Sequence, residues 1–87
     1  MGVVSHLDFF IDTVMRIKTK KEMMNFLLGI FTPQELKEIP TRLAIVKMLK
    51  QGISQHLIAE TLKVGVATIT RGSKEIQKGR FRNVSNN

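Results

Sequence analysis

Apolar residues follow helical spacing along almost the whole chain. From Leu7 to Ile17 they recur every three or four positions, which predicts a stripe on one face of a first helix. Further apolar residues widen this stripe, so we expect the first helix to be buried on more than one side. A second, mostly apolar run from Met23 to Leu28 predicts another helix that ends near Gly29. No segment alternates in the manner of a strand, and the pattern predicts an all-α fold.

Two capping boxes mark the starts of helices. Thr19 and Glu22 form the first, and Thr32 and Glu35 form the second. In such a box the threonine hydroxyl accepts a hydrogen bond from the glutamate backbone N–H, and the glutamate carboxylate reaches back to the threonine. Pro33 strengthens the second start, because proline is favoured at the first position of a helix.

The third predicted helix runs from this second box toward Lys50, and Gly52 follows it as a stop. Pro40 lies inside it. Proline removes the hydrogen bond to the Leu36 carbonyl and disfavours helical backbone at the residue before it. We therefore expect a kink or a break at this point.

Two short helices separated by a three-residue turn come next. Ser54 is a candidate cap for a helix over 55–62, Lys63 to Gly65 form the turn, and a last helix runs from Val66 to about Gln77. This spacing is typical of a helix-turn-helix. A plain helical hairpin with a hydrated basic face is the alternative.

Small and apolar residues stand where a helix-turn-helix needs them. Ala59 is small enough for the two helices to cross closely, and the apolar side chain of Val64 is expected to fill the space at the crossing. Ile69 is expected to point inward onto Ile58 and Leu62. Lys63 occupies a turn position where glycine is usual. A left-handed conformation at a non-glycine residue costs on the order of 1 kcal/mol.

Length and composition narrow the class of protein. The chain has 87 residues and no cysteine, which excludes disulfides and thiolate sites. A single chain of this size hides only about 60–65% of its unfolded surface, so we expect a partner subunit to complete the core. No apolar run approaches the roughly 20 residues that span a membrane, and no export signal is expected, which favours a cytoplasmic protein.

The charge is uneven. Residues 1–43 contain six Lys and Arg against five Asp and Glu, whereas residues 44–87 contain eight against two. A solvated face is the ordinary explanation of such an excess, but its extent favours a surface that binds nucleic acid. His6 and His56 lie far apart, and no nucleophile, base or metal set is expected, so the chain is not predicted to be an enzyme.

The segment Val66 to Ser73 resembles the recognition helix of the Trp repressor family, and three shorter matches precede it in order: Thr32-Pro33, Thr41-Arg42 and Gly52 to Gln55. The resemblance covers about residues 5–79. It implies an intertwined homodimer of five or so short helices that binds double-stranded DNA. It divides a single domain, 1–79, into dimerisation helices (1–31), a central helix (32–52) and the helix-turn-helix (54–79), followed by a flexible basic tail (80–87). The family's final helix has no counterpart in that tail.

The resemblance also implies L-tryptophan as a corepressor. In the family two arginines sandwich the indole ring, and by position these are Arg42 and Arg71. Guanidinium planes stack on aromatic faces and pair with carboxylates, so the chemistry is sound. Thr32 matches the residue that holds the ligand carboxylate, and Gly72 matches one that leaves room beside it. A phosphate contact for Arg71, a pairing of Arg42 with Glu38, and a plain capping role for Thr32 are the alternatives.

Two further parts of the tryptophan site follow from the same resemblance. Main-chain carbonyls at the end of the second helix of the other subunit hold the ligand amino group in the family, and here that end is Gly29 to Phe31. Glu75 stands where the family commonly has a small hydroxyl residue. Its carboxylate would pair with the ligand ammonium, or its bulk would close the pocket. No metal is implied.

The implied DNA contacts lie on both helices of the motif. His56 stands where the family has an arginine that reaches a base; a phosphate contact or simple exposure are its alternatives. The sequence thus predicts a tryptophan-responsive repressor. One alternative is a regulator of the same family that responds to another ligand or to none. The other is a helical module that binds a protein or a membrane. The predicted DNA-contacting residues are Gln55, His56, Gly65, Val66, Ala67, Thr68, Thr70, Ser73, Lys74 and Lys78.

Overall fold

A computed structural model describes residues 3–86, with side chains from Ser5 onward. Within this range the chain forms helices and no strand, which confirms the all-α prediction. The first two residues, which belong to the predicted range 1–31, and Asn87, which belongs to the predicted tail 80–87, lie outside the described residues. The five helices are α1 (Val3–Arg16), α2 (Lys20–Ile30), α3 (Pro33–Lys50), α4 (Gln55–Leu62) and α5 (Val66–Gln77).

The chain divides into two compact units, residues 1–36 and 37–87. In the first, the rings of Phe10 and Phe26 lie 6.1 Å apart between their centroids and pack α1 on α2. Other apolar side chains of α1 stay in solvent, with Phe9 71% and Met15 76% exposed. The prediction that α1 is buried on more than one side is therefore wrong for a single chain, because the single chain supplies no surface to cover these residues.

The predicted caps form. Glu22 N–H donates to Thr19 Oγ1 at 3.1 Å. In the second box Glu35 N–H donates to Thr32 Oγ1 at 3.2 Å, and Thr32 N–H donates to the Glu35 carboxylate at 2.8 Å. The hydrogen bond from the Thr32 N–H, with a further one from the Thr32 side chain, holds the pKa of the Glu35 carboxyl below its usual range. Helix α2 continues one residue beyond Gly29, to Ile30, before its cap at Phe31.

Helix α3 runs through Pro40, so of the kink or break expected there, the break does not occur. The fixed φ of proline is compatible with helical backbone, so the helix continues although proline donates no hydrogen bond and its ring crowds the Leu36 carbonyl. The Thr41 hydroxyl donates to the Lys37 carbonyl at 2.7 Å, in the same turn. Helical bonds on both sides thus carry the helix across the proline.

The second unit encloses a small core made by the end of α3 and the helix-turn-helix. Ile45, Ile58 and Ile69 form its centre, each with at most 1% of its surface exposed. Partly buried apolar side chains surround it: Met48, Leu49, Ile53, Ala59, Leu62 and Val64. The predicted roles of Ile58 and Ile69, and of the small core around them, are confirmed.

The turn between α4 and α5 also has the predicted form. Leu57 N–H donates to Ser54 Oγ at 3.2 Å and so caps α4. Lys63 ends this helix in the left-handed conformation, with φ 56° and ψ 47°. A lysine therefore occupies the backbone conformation that glycine usually takes in this motif.

Residues beyond α5 fold back on the end of α3. Lys50 Nζ donates to the carbonyls of Phe81 and Val84, the latter at 2.8 Å, and Gln51 Nε2 donates to the Asn86 carbonyl at 3.0 Å. The sequence predicted a loose tail with little to bury, but Phe81 and Val84 are half-buried. Among the described residues, no helix is long and apolar enough to cross a membrane.

Candidate functional site

A cavity of about 190 Å³ opens between α3 and α5. Both helices contribute polar and charged side chains to it over an apolar floor, and the segment after α5 adds an aromatic ring. The lining residues are Arg42, Ile45, Val46, Thr68, Arg71, Gly72, Glu75 and Phe81. The cavity thus brings together both arginines, the glycine and the glutamate that the resemblance assigned to tryptophan.

Helical periodicity explains why these residues share one cavity. Thr68, Arg71 and Glu75 recur at intervals of three and four along α5, so they line one face of that helix. Arg42 and Val46 have the same relation on α3. The arginines therefore reach the cavity from two different helices, as a pair that flanks a flat ring must.

Gly72 lies where α5 approaches α3. A Cβ added to it would lie 3.4 Å from Ile45 Cγ2 and 3.8 Å from Leu49 Cδ1, at the tight edge of ordinary contact. A Cβ therefore just fits between the two helices that form the cavity, whereas a larger side chain would not fit without a shift.

The two arginines are available to a ligand. Both are exposed. Within residues 5–86 the ion pairs seen are those of Glu60 with His56 and of Glu75 with Lys78 and Arg80, and neither Arg42 nor Arg71 takes part in them. Two uncompensated guanidinium groups make the mouth of the cavity electropositive, which favours an anionic group on whatever binds there.

Glu75 adds a negative charge that the protein already compensates. Lys78 Nζ lies 3.3 Å from one carboxylate oxygen, and Arg80 Nε lies 3.3 Å from the other. The hydrogen bond from Lys78 is the main cause that holds the pKa of Glu75 below its usual value, against a smaller, opposite effect of burial. The carboxylate is therefore ionised near neutral pH and tied to the residues that follow α5.

The remaining residues assigned to tryptophan do not line this cavity. Gly29, Phe31 and Thr32 belong to the unit formed by residues 1–36. Gly29 lies within α2, and Phe31 caps that helix. Thr32 caps α3 and uses its hydroxyl to accept the Glu35 N–H.

The residues assigned to DNA fall on α4, the turn and α5. Thr70 Oγ1 donates to Gln55 Oε1 at 3.2 Å and so joins the two helices. His56 is 92% exposed and lies 3.8 Å from Glu60 on the same helix. Lys78 is paired with Glu75, and Thr68 faces the cavity. Ser73 is half-buried, and the other predicted contacts, Gly65, Val66, Ala67 and Lys74, are exposed.

Sequence reasoning missed three lining residues. Ile45 and Val46 carried only the periodic apolar signal of α3, which predicts burial and not a cavity wall. Phe81 is the one aromatic residue in the basic segment beyond Gly79, and Val84 is its other apolar residue. These two residues were the signal that the segment packs against the rest of the protein.

Comparison with known proteins gives a consistent family. The family model for the Trp repressor protein matches residues 5–83. The Trp operon repressor homolog of Vibrio vulnificus (strain YJ016) is 38% identical over 68 residues, which cover 77% of this chain and 67% of that protein. The homolog of Aliivibrio fischeri (strain MJ11) is 47% identical over 49 residues, or 55% of this chain and 45% of that protein.

The matched regions span about half to two thirds of these relatives, and no solved structure gives a significant match. The family consists of transcription regulators without enzymatic activity, which confirms the prediction that the chain is not an enzyme. The match over most of the chain, together with the helix-turn-helix built on Ile58 and Ile69, shows that this chain belongs to the Trp repressor family.

Proposed function

We propose that this protein is a homodimeric DNA-binding repressor that takes L-tryptophan as its corepressor. One observation carries the proposal: the cavity lined by Arg42 and Arg71 shares helix α5 with the candidate DNA-reading surface. A ligand in this cavity touches the helix whose position decides whether the protein fits DNA.

The cavity suits an aromatic amino acid by charge and by size. Guanidinium groups stack on aromatic faces and bind carboxylates through paired donors, and Arg42 and Arg71 are both exposed where they line the cavity. A dry cavity of about 150 Å³ is large enough for benzene, so a cavity of about 190 Å³ accommodates one aromatic ring system.

The candidate DNA-reading surface is formed by the start of α5 and the basic residue behind it. Val66 and Ala67 are exposed in the first turn, where a recognition helix meets base edges. Lys74 lies two turns later, where a cation would meet phosphate. Glu75, paired with Lys78 and Arg80, follows Lys74 along the chain. The start of α5 would thus meet base edges, and its later, charged part would meet phosphate.

A dimer is supported by the unpartnered apolar surface of the first two helices. Phe9 and Met15 on α1, and Met24 and Leu28 on α2, are each more than 50% exposed. An apolar surface of this kind is typical of an interface. Two such subunits would present their recognition helices to successive major grooves, about 34 Å apart.

Tryptophan would act by shifting a population. Ligand held between α3 and α5 favours the tilt of α5 that fits the major groove, and DNA favours the same tilt. Ligand and operator then strengthen each other's binding by the same factor.

The test measures DNA binding with and without ligand. Fluorescence anisotropy on DNA from upstream of its own gene and of tryptophan-synthesis genes should show at least 10-fold tighter binding at saturating L-tryptophan. Arg71→Ala should lose both ligand and ligand-dependent DNA binding, whereas Lys18→Ala, outside the cavity and the reading surface, should keep both. The chain contains no Trp or Tyr, so the fluorescence of bound tryptophan is measured against a dark background.

A regulator of the same family with another ligand, or with none, is the second candidate. It is favoured by Glu75, whose carboxylate is satisfied by Lys78 and Arg80 without a ligand ammonium group. Operator binding that is equally tight with and without tryptophan would select it.

A further inference from the structure

The cavity has a wall that belongs to neither α3 nor α5. We call residues 80–84 the closing segment. Its Phe81 is half-buried and lines the cavity together with the two helices that carry the arginines. The one aromatic side chain of this segment thus lines the cavity.

The backbone turns sharply to bring this residue back. Gly79 adopts φ +84°, a conformation that favours glycine, and its N–H donates to the Ile76 carbonyl at 2.9 Å. Arg80 N–H then donates to the Glu75 carbonyl at 3.2 Å. The chain therefore reverses directly at the end of α5, and Phe81 follows within two residues of the reversal.

Two side chains tether the closing segment, one from each helix that lines the cavity. From α5, the Glu75 carboxylate accepts a hydrogen bond from Arg80 Nε. From α3, Lys50 Nζ donates to the carbonyls of Phe81 and Val84. Lys50 is partly buried and holds the two carbonyls at and after Phe81, while the Arg80 contact holds the residue before it.

Phe81 lines the cavity and does not fill it. With the ring in position, about 190 Å³ remains between it and the arginines. That volume matches one aromatic ring system, and a ring placed there meets the Phe81 ring as well as the guanidinium groups. Truncation of Phe81 would enlarge the cavity and remove an aromatic contact together.

We propose that the closing segment is a built-in lid of the ligand cavity, in which Phe81 is the wall that selects the size of the aromatic ligand and Lys50 is the positioning residue that holds this wall. The inference rests on the proposed function, since it concerns the same cavity and an aromatic amino acid. It adds a specificity-determining residue and its anchor.

Calorimetry with two ligands tests the lid. L-Tryptophan and 5-methyl-L-tryptophan, which carries one additional methyl group on the ring, are titrated into the full chain and its variants. The wild type should prefer L-tryptophan. Phe81→Ala should bind L-tryptophan about 10-fold more weakly and should lose or reverse this preference, because the missing ring leaves room for the methyl group.

Three further variants separate selection from general damage. Val84→Ala changes an apolar, half-buried residue of the same segment that does not line the cavity, and it should stay within twofold of the wild type for both ligands. Phe81→Leu, which keeps most of the volume, should restore most of the preference. Lys50→Met should shift the preference in the same direction as Phe81→Ala, and trypsin should cleave it faster after Arg80 and Arg82.

The outcomes distinguish the lid from the function on which it rests. If the wild type binds L-tryptophan while Phe81→Ala keeps the affinity and preference of Val84→Ala, the lid is overturned and the proposed function stands. Tighter binding by Phe81→Ala would also overturn it, because Phe81 would then occupy the cavity instead of lining it. If the wild type binds no tryptophan, both proposals fail together.

Discussion

Thr70 and Gln55 join the two helices of the helix-turn-helix through their side chains. The Thr70 hydroxyl donates to Gln55 Oε1 at 3.2 Å, across the turn and beside the buried Ile69. Both residues are half-buried, so the bond is partly shielded from water. It fixes the angle of the recognition helix in addition to the apolar core beneath.

Removal of this bond should weaken both stability and DNA binding. Thr70→Val keeps the shape of the side chain but removes the donor, and should lower the free energy of unfolding by about 0.5–1.5 kcal/mol. Urea denaturation followed by circular dichroism measures this change. Thr61→Val, on the exposed face of α4, is the matched control and should change stability by less than about 0.5 kcal/mol. Equal effects of the two substitutions would show that the bond contributes nothing.

Replacing Lys63 by glycine should stabilise the protein. Lys63 holds φ 56°, which costs a non-glycine residue about 1 kcal/mol, and glycine adopts this conformation without that cost. A gain of about 1 kcal/mol in unfolding free energy corresponds to a rise of roughly 4–8 °C in Tm for a domain of this size.

The same change inside a helix provides the control for Lys63. Lys47→Gly, at an exposed position of α3, should lower stability by about 1 kcal/mol, because glycine is unfavourable in a helix interior. Opposite signs are the expected result. A destabilised Lys63→Gly variant would mean that the lysine side chain makes contributions that outweigh its backbone strain.

A side chain larger than that of alanine at position 72 should separate α3 from α5. Gly72→Ala adds a Cβ at 3.4 Å from Ile45 Cγ2, which is tolerable and is offset by the better helix propensity of alanine. Gly72→Val adds two methyl groups at the same place and should cost about 1–3 kcal/mol through overpacking. Thermal denaturation of both variants, with L-tryptophan titration of the folded protein, measures the effect on the fold and the cavity. Similar stability of the valine and alanine variants would contradict the close approach.

Acid should release the closing segment by protonating Glu75. Its folded pKa lies below the ordinary glutamate value of about 4.3, so its ion pairs contribute stability above that value and lose it as the pH falls through the folded pKa. The wild type should therefore lose stability below about pH 4.3, and Glu75→Gln should lose less over the same range. Denaturation curves between pH 7 and pH 3 measure both slopes. Glu35→Gln is a matched comparison, since the pKa of Glu35 is lowered by the Thr32 cap instead of by cations.

The sequence predicted the fold well where the signal was a side chain that hydrogen-bonds to backbone a few residues away. Thr32 and Ser54 each predicted a helix start through capping chemistry, and the structure has those starts. Lys63 takes the left-handed turn conformation although its residue type argued against it. Pro40 does not break α3, because the rest of a long helix outweighs the local cost of a lost hydrogen bond and a crowded carbonyl. Exposure of Phe9 and Met15 could not be predicted, because a periodic stripe does not say which surface covers it.

The cavity was predictable only in part for a related reason. Arg42 and Arg71 came from the resemblance, since spacing alone leaves phosphate contacts and ion pairs equally open to an arginine. Phe81 depends on Lys50, which is 31 residues away and binds its backbone carbonyl. Contacts of this kind leave no periodic pattern in the sequence, so only the structure reveals the wall they hold in place.

The salt dependence of operator binding should identify the cation that meets phosphate. Lys74 is exposed on α5 and carries no ion pair within residues 3–86, whereas Lys78 is engaged by Glu75. Neutralising one phosphate contact reduces the slope of log K against log salt by about 1, and binding weakens for all DNA sequences alike. Lys74→Ala should show this reduction by anisotropy titrations between 50 and 200 mM salt, roughly the range over which such slopes are resolved. Lys78→Ala should change the slope less, because its charge is already compensated on the protein. A slope that Lys74→Ala leaves unchanged would remove α5 from the phosphate contacts and with it the proposed orientation of the recognition helix.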